Sequence, residues 1–202
     1  MTQIVLPLSR AAAGPARIVL GAGNAHVGEA LAHPASWPFR TAVLTGPPRS
    51  GKSLFARWFA ESGAGDAIDD AQAIDEAELF HRWNRAQEEG RPLLIVGGEP
   101  PWDIALPDLK SRLGAALQLE IGPPDDAMAA ELIAAMAEER ALPLGDEAAA
   151  YLVPRAERSY LQLEKLVEAI DTLSLERKAP PTLAIWRAAL EAVQGPEEPR
   201  LL

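Results

Sequence analysis

An α/β fold built on a central parallel sheet and followed by a small helical domain is predicted by three features of the sequence. A complete phosphate-binding loop, Gly46-Pro47-Pro48-Arg49-Ser50-Gly51-Lys52-Ser53, lies between the apolar run 41–45 and the helix-forming stretch 54–60, which is the strand–loop–helix context such a loop requires. A second apolar run, Leu93-Leu94-Ile95-Val96, is bounded by Pro92 and Gly97, as suits a strand buried on both faces. From Pro123 onward the periodicity is helical only.

The elements follow in order. Residues 1–10 form a short apolar segment, and Ala11-Ala12-Ala13-Gly14-Pro15 behind it reads as a linker. A turn over 21–24 leads to a helix over 25–32, the strand 41–45, and a helix running from the phosphate loop to Glu61. The Ser62-Gly63-Ala64-Gly65 turn and the brief approach Ala67-Ile68 end in two carboxylates, Asp69 and Asp70. Leu79, Phe80, Trp83 and Ala86 fall at helical spacing within 76–89. The strand 93–96, a short helix over 106–113 and the alternating strand 117–121 complete the α/β part. Asp125 or Asp126 caps a helix to about Leu142, and further helices are expected near 146–152, 158–177 and 182–194. In the third of these four, Leu163, Leu166, Val167 and Ile170 form one apolar stripe, read as core. The expected division is 1–15, 16–122 and 123–202.

Composition narrows the function. The 202 residues are 48% hydrophobic and 24% charged, the make-up of a folded chain. A net charge of −10 argues against strong direct binding to nucleic acid or anionic lipid. The chain has no cysteine and three scattered histidines, His26, His33 and His81, so disulfides, thiolate sites and a histidine metal triad are excluded. No signal pattern or long apolar stretch is present, and a cytoplasmic location without membrane contact is expected.

In a phosphate loop the glycines turn backbone N–H groups inward around phosphate, and the following helix adds the positive end of its dipole. Lys52 reaches the outer phosphates and Ser53 ligates Mg²⁺, so ADP or ATP with Mg²⁺ is the expected ligand. Such a site also needs a carboxylate at a strand end for the metal shell and another to orient water; Asp69 suits the first role and Asp70 the second. A helix-capping pair is the other reading of these two. Arg112, in Asp108-Leu109-Lys110-Ser111-Arg112-Leu113, either pairs with Asp108 one turn earlier or projects into a neighbour's nucleotide site, where a guanidinium stabilises charge on the γ-phosphoryl group.

The chain resembles the DnaA-related AAA+ proteins, and among them the Hda members, from about Val19 to Val193. The resemblance rests on Val19-Leu20-Gly21-Ala22-Gly23-Asn24, the loop Gly46 to Ser53, Ile68-Asp69-Asp70-Ala71-Gln72-Ala73-Ile74, Leu93 to Pro101, Leu106 to Leu113, and the phrase 160–169. It implies an AAA+ base domain with a helical lid. With the helical segment last in the sequence, no C-terminal helix-turn-helix domain is expected, which favours the Hda members. Gln3-Ile4-Val5-Leu6-Pro7-Leu8 resembles their docking peptide for the DNA polymerase sliding clamp, its beta subunit. There Gln3 hydrogen-bonds, Leu6 and Leu8 fill an apolar pocket, and Pro7 lowers the ordering cost; an edge strand or packed arm is the other reading. The resemblance further implies that Arg112 acts in trans on ATP held by DnaA.

Three departures accompany the resemblance. The segment 54–68 lacks the usual extra strand and helix, so a sheet narrower by one strand is expected. The sensor position after the strand 93–96, normally polar, falls on Gly98. The lid arginine falls on Leu161, with Arg158 the nearest substitute for contacting phosphates. These losses point to weak hydrolysis by the chain itself and to a nucleotide-holding role. An autonomous phosphotransferase and a non-catalytic adaptor remain as alternatives, and self-association as a homo-oligomer is left open.

Overall fold

The computed structural model describes residues 17–195. In the α/β part, strands Thr41–Thr45 (β1), Asp66–Ile68 (β2), Leu93–Val96 (β3) and Leu117–Glu120 (β4) form one sheet in the order β2-β3-β1-β4. All three pairings are parallel, with Val43 opposite Ile95 on one side and Gln118 on the other. Helices Ala25–Ala32 (α1), Lys52–Glu61 (α2), Glu76–Glu89 (α3) and Pro107–Ala115 (α4) accompany the strands. The expected α/β fold with a parallel sheet is therefore present. Between α2 and Asp69 the chain makes only the three-residue β2, which leaves a four-stranded sheet.

The central strands are apolar because both faces are covered. Val43 and Ile95 face Leu79, Trp83 and Ala86 of α3 and Leu109 and Leu113 of α4. Helix α2 packs on β2 and β3, with Phe55 and Phe59 fully buried, and Trp37 stacks on Phe59 at 5.3 Å between ring centroids. Local chemistry sets the helix ends. Asp75 caps α3 by accepting from the N–H groups of Ala77 and Glu78, and Gly90, at φ 64°, ends it. The carboxylate capping this helix is thus Asp75, not the Asp69–Asp70 pair.

The described residues divide into two compact units. One is Ala22–Gly122; the other joins residues 17–21 to the helical part 123–195. Residues 17–21, assigned to the α/β part from sequence, thus group with the helices. The helical unit contains Asp126–Glu139 (α5), Asp146–Leu152 (α6), Tyr160–Arg177 (α7) and Leu183–Gln194 (α8). Helix α5 stops short of Leu142 because Ala141 turns the chain at φ 52°. Of the two candidate caps Asp125 serves, accepting from Met128 N–H at 2.7 Å. Leu163, Leu166, Val167 and Ile170 are all buried, with Ile133, Leu152, Ile185 and Ala189 in the same cluster, so the apolar stripe of α7 is core.

Tyr160 gives this unit a pH signature. Its side chain is buried and its hydroxyl donates to Met128 Sδ at 3.7 Å. Burial, and secondarily the Asp125 carboxylate, push its phenol up to about 12. The folded chain thus holds the phenolic proton more tightly than the unfolded one, whose tyrosine titrates near pH 10. Its stabilising contribution is full below that value and is lost as pH rises through about 12. Between these limits Tyr160→Phe is expected to retain a larger share of its neutral-pH stability than the wild type, read by urea denaturation at stepped pH.

Candidate nucleotide-binding site

The phosphate loop joins β1 to α2 at the C-terminal edge of the sheet. The neighbouring strand ends fix its entry. Gly46 N–H donates to Gly98 O at 3.3 Å, and Ile121 N–H donates to Thr45 O at 2.9 Å. Gly46 has φ 147°, and a Cβ there would lie 2.9 Å from the Ile121 Cβ and 3.0 Å from its carbonyl oxygen. Only glycine suits that position. Gly51, at φ 89°, precedes the first residue of α2. Arg49 is also left-handed at φ 64°, where an L side chain is disfavoured.

The Lys52 ammonium donates to Gly46 O at 2.7 Å and Pro47 O at 2.8 Å, so it is curled over its own loop. Burial lowers its pKa from the ordinary lysine value, while the Glu99 and then the Asp69 carboxylate pull it back up. Within the loop Ser50 is buried, and its Oγ has no hydrogen-bond partner among the described residues. Pro48, Arg49 and Ser53 are exposed. The loop therefore offers a cation, a glycine-only backbone cradle and an unsatisfied buried hydroxyl, a donor set that suits phosphate.

The structure brings two of the sequence-identified acidic and basic groups together here. Asp69 stands at the end of β2, close enough to act on Lys52, and its Oδ1 accepts from Asp70 N–H at 2.9 Å. Asp70, exposed at φ 48°, starts the 3-10 turn Ala71–Ala73. Glu99 was not assigned a role from sequence, yet it exerts the larger carboxylate influence on Lys52. The signal was its place three residues past the end of β3, beside the strand that carries the loop.

Arg112 lies elsewhere. It occupies the last turn of α4, which leads into the start of β4, and Leu117 there pairs with Ala42 near the start of β1. That is the end of the parallel sheet opposite the phosphate loop. Its guanidinium sits 4.4 Å from the Trp83 ring centroid and 4.8 Å from that of Phe80, and donates to Asn84 Oδ1 at 3.2 Å. These partners all belong to α3; Asp108 is not among them.

In the helical unit, Arg158 is ion-paired with Asp126, and Leu161 stands half-buried in the first turn of α7. Gln3, Leu6, Pro7 and Leu8 lie outside the described residues. Among the described residues no cluster of three or more His, Asp or Glu could hold a metal ion by itself. None of the described helices is long and apolar enough to cross a membrane.

A parallel sheet carrying a phosphate loop at its C-terminal edge, with a separate helical unit, defines the nucleotide-binding α/β class with the AAA+ arrangement. No family model matches the chain. An uncharacterised protein of Haemophilus influenzae is 26% identical over 181 residues, covering 84% of this chain and 78% of that protein. The chromosomal replication initiator DnaA of Chloroflexus aurantiacus is 26% identical over 140 residues, or 66% of this chain. The chain spans about a third of the length of the DnaA relatives it matches, 29% in that case. Among solved structures, domain III of DnaA from Thermotoga maritima superposes with a TM-score of 0.71 at 16% identity, covering 88% of this chain and 95% of that one. DnaA bound to AMPPCP and single-stranded DNA gives 0.59 at 16% identity, covering 79% and 66%. The AAA domain of FIGL-1 in complex with ADP gives 0.60 at 13% identity, covering 90% and 85%. The fold is that of a DnaA-like AAA+ domain, and the sequence is related to DnaA.

Proposed function

We propose that this protein is a nucleotide-holding regulator of replication initiation that binds the sliding clamp through residues 3–8 and promotes hydrolysis of ATP bound to DnaA. Its own loop, Gly46 to Ser53, takes ADP or ATP. The backbone N–H groups surround the phosphates, and Lys52 exchanges the carbonyls of Gly46 and Pro47 for phosphate oxygens. Ser53 and Asp69 hold Mg²⁺, which neutralises phosphate charge when bound. Asp70 orients water. Arg158 serves as a phosphate contact only when it leaves Asp126.

The observation that carries the regulatory reading is the state of Arg112. It stands at the end of the sheet away from its own phosphate loop, against two rings and an amide, and pairs with no carboxylate among the described residues. A stacked guanidinium keeps in-plane N–H donors for an anion. Presented to the ATP of DnaA, it stabilises charge developing on the γ-phosphoryl group. The same stacking supports a second reading, in which Arg112 simply ties α4 to α3.

The test is DnaA-ATP hydrolysis on clamp-loaded DNA. The wild type is expected to stimulate it, and Arg112→Ala to lose stimulation on the order of 10³-fold while still binding the clamp. Deleting residues 1–9 is expected to abolish clamp binding and leave nucleotide affinity unchanged. Undiminished stimulation by a folded Arg112→Ala protein, with only a lowered melting temperature, establishes the tie between helices instead. Turnover that depends on an added small acceptor and not on DnaA selects a phosphotransferase.

A further inference from the structure

The space beside Gly98 is taken by a side chain of the neighbouring loop. Gly98 follows β3 and touches the phosphate loop directly, its carbonyl accepting from Gly46 N–H. A Cβ built on Gly98 would overlap Gln72 Oε1 and lie 3.1 Å from both Cδ and Nε2 of the same side chain. The carboxamide of Gln72 therefore fills the space that a polar side chain at position 98 would occupy. Gln72 sits in the 3-10 turn that follows Asp69 and Asp70, anchored by the buried Ala71 before it. Its side chain is exposed, and the amide makes no hydrogen bond to any described residue.

The charges around it define what it can add. Lys52 is flanked by the Glu99 and Asp69 carboxylates, which accept hydrogen bonds and repel phosphate. A carboxamide is neutral and offers two N–H donors with one carbonyl acceptor. It can donate to a terminal phosphate oxygen and accept from a water beside it, a combination that the acceptor-only carboxylates of Asp69 and Glu99 cannot offer. We infer that Gln72 is the triphosphate-discriminating residue of this site, contacting the terminal phosphate from the space vacated at Gly98. The inference rests on the nucleotide reading of the phosphate loop.

Titration of the full chain with Mg²⁺ and either ADP or AMPPCP tests it. Gln72→Ala is expected to weaken AMPPCP binding about tenfold, the loss of one hydrogen bond to a charged group, with ADP binding within about twofold of the wild type. The double variant Gln72→Ala/Gly98→Asn is expected to recover most of the AMPPCP affinity, because an amide then reaches the same space from β3. Gln72→Glu keeps the shape, loses the donors and adds charge, so it is expected to lose more than Gln72→Ala. An equal loss for both nucleotides, or no loss for either, overturns the role of Gln72. If the wild type binds neither nucleotide, or binds both independently of Lys52, the reading of the loop itself fails and this role with it.

Discussion

Gly46→Ala is expected to lose about 2–5 kcal/mol of stability in urea denaturation and to abolish nucleotide binding. Two costs add. The backbone at φ 147° is foreign to an L side chain, which costs about 1–2 kcal/mol. The added methyl also meets Ile121 Cβ at 2.9 Å and backbone oxygen at 3.0 Å, and overpacking of that kind costs about 1–3 kcal/mol. Ile121 is buried and its N–H is bonded to Thr45 O, so it has little room to retreat. Relief of the clash would pull Gly46 N–H from Gly98 O and reshape the start of the cradle. The measurements are a urea curve and a titration with ADP. A stable variant that still binds ADP would show that the loop tolerates a side chain at its first position.

Lys52→Ala is expected to lower affinity for ADP and ATP about 100-fold, the upper range for removing a charged hydrogen-bond partner. The fold should survive it. The Lys52 bonds run to two carbonyls of its own loop, each worth about 1 kcal/mol net, and its ammonium is partly desolvated. Loss of that desolvation offsets part of the loss of the bonds. Isothermal titration with matched melting curves separates the two effects. An affinity unchanged in a folded variant would remove Lys52 from the site.

Most of the elements were legible because each is governed by local chemistry. The helix 76–89 showed itself by Leu79, Phe80, Trp83 and Ala86, and the structure places Leu79, Trp83 and Ala86 in the core. The strand 93–96 showed itself as a four-residue apolar run because both its faces are covered. The phosphate loop is a contiguous motif whose conformation depends on glycines at fixed positions, so its residues could be named directly.

The surroundings of the site were less legible. Asp69 and Glu99 lie thirty residues apart in sequence, and they converge on Lys52 only because β2, β3 and β1 are adjacent in the sheet. The proximity of Gln72 to Gly98 has the same origin. Arg112 offered two readings from sequence, a pair with Asp108 or a free projection. The structure shows no pair with Asp108 and sets the guanidinium against Trp83, Phe80 and Asn84, which come from another helix. No spacing rule within α4 could have found them.

The sequence alone determined the alternation of strands and helices, the phosphate loop and the change to an all-helical segment at Pro123, because hydrophobic period, turn residues and a contiguous motif act over a few residues. Tertiary structure decided the four-strand order, the carboxylates that bear on Lys52, the side chain that fills the space at Gly98 and the ring platform under Arg112. Each of those depends on which strands and helices become neighbours, and that is settled by burial of whole faces rather than by any short stretch of chain.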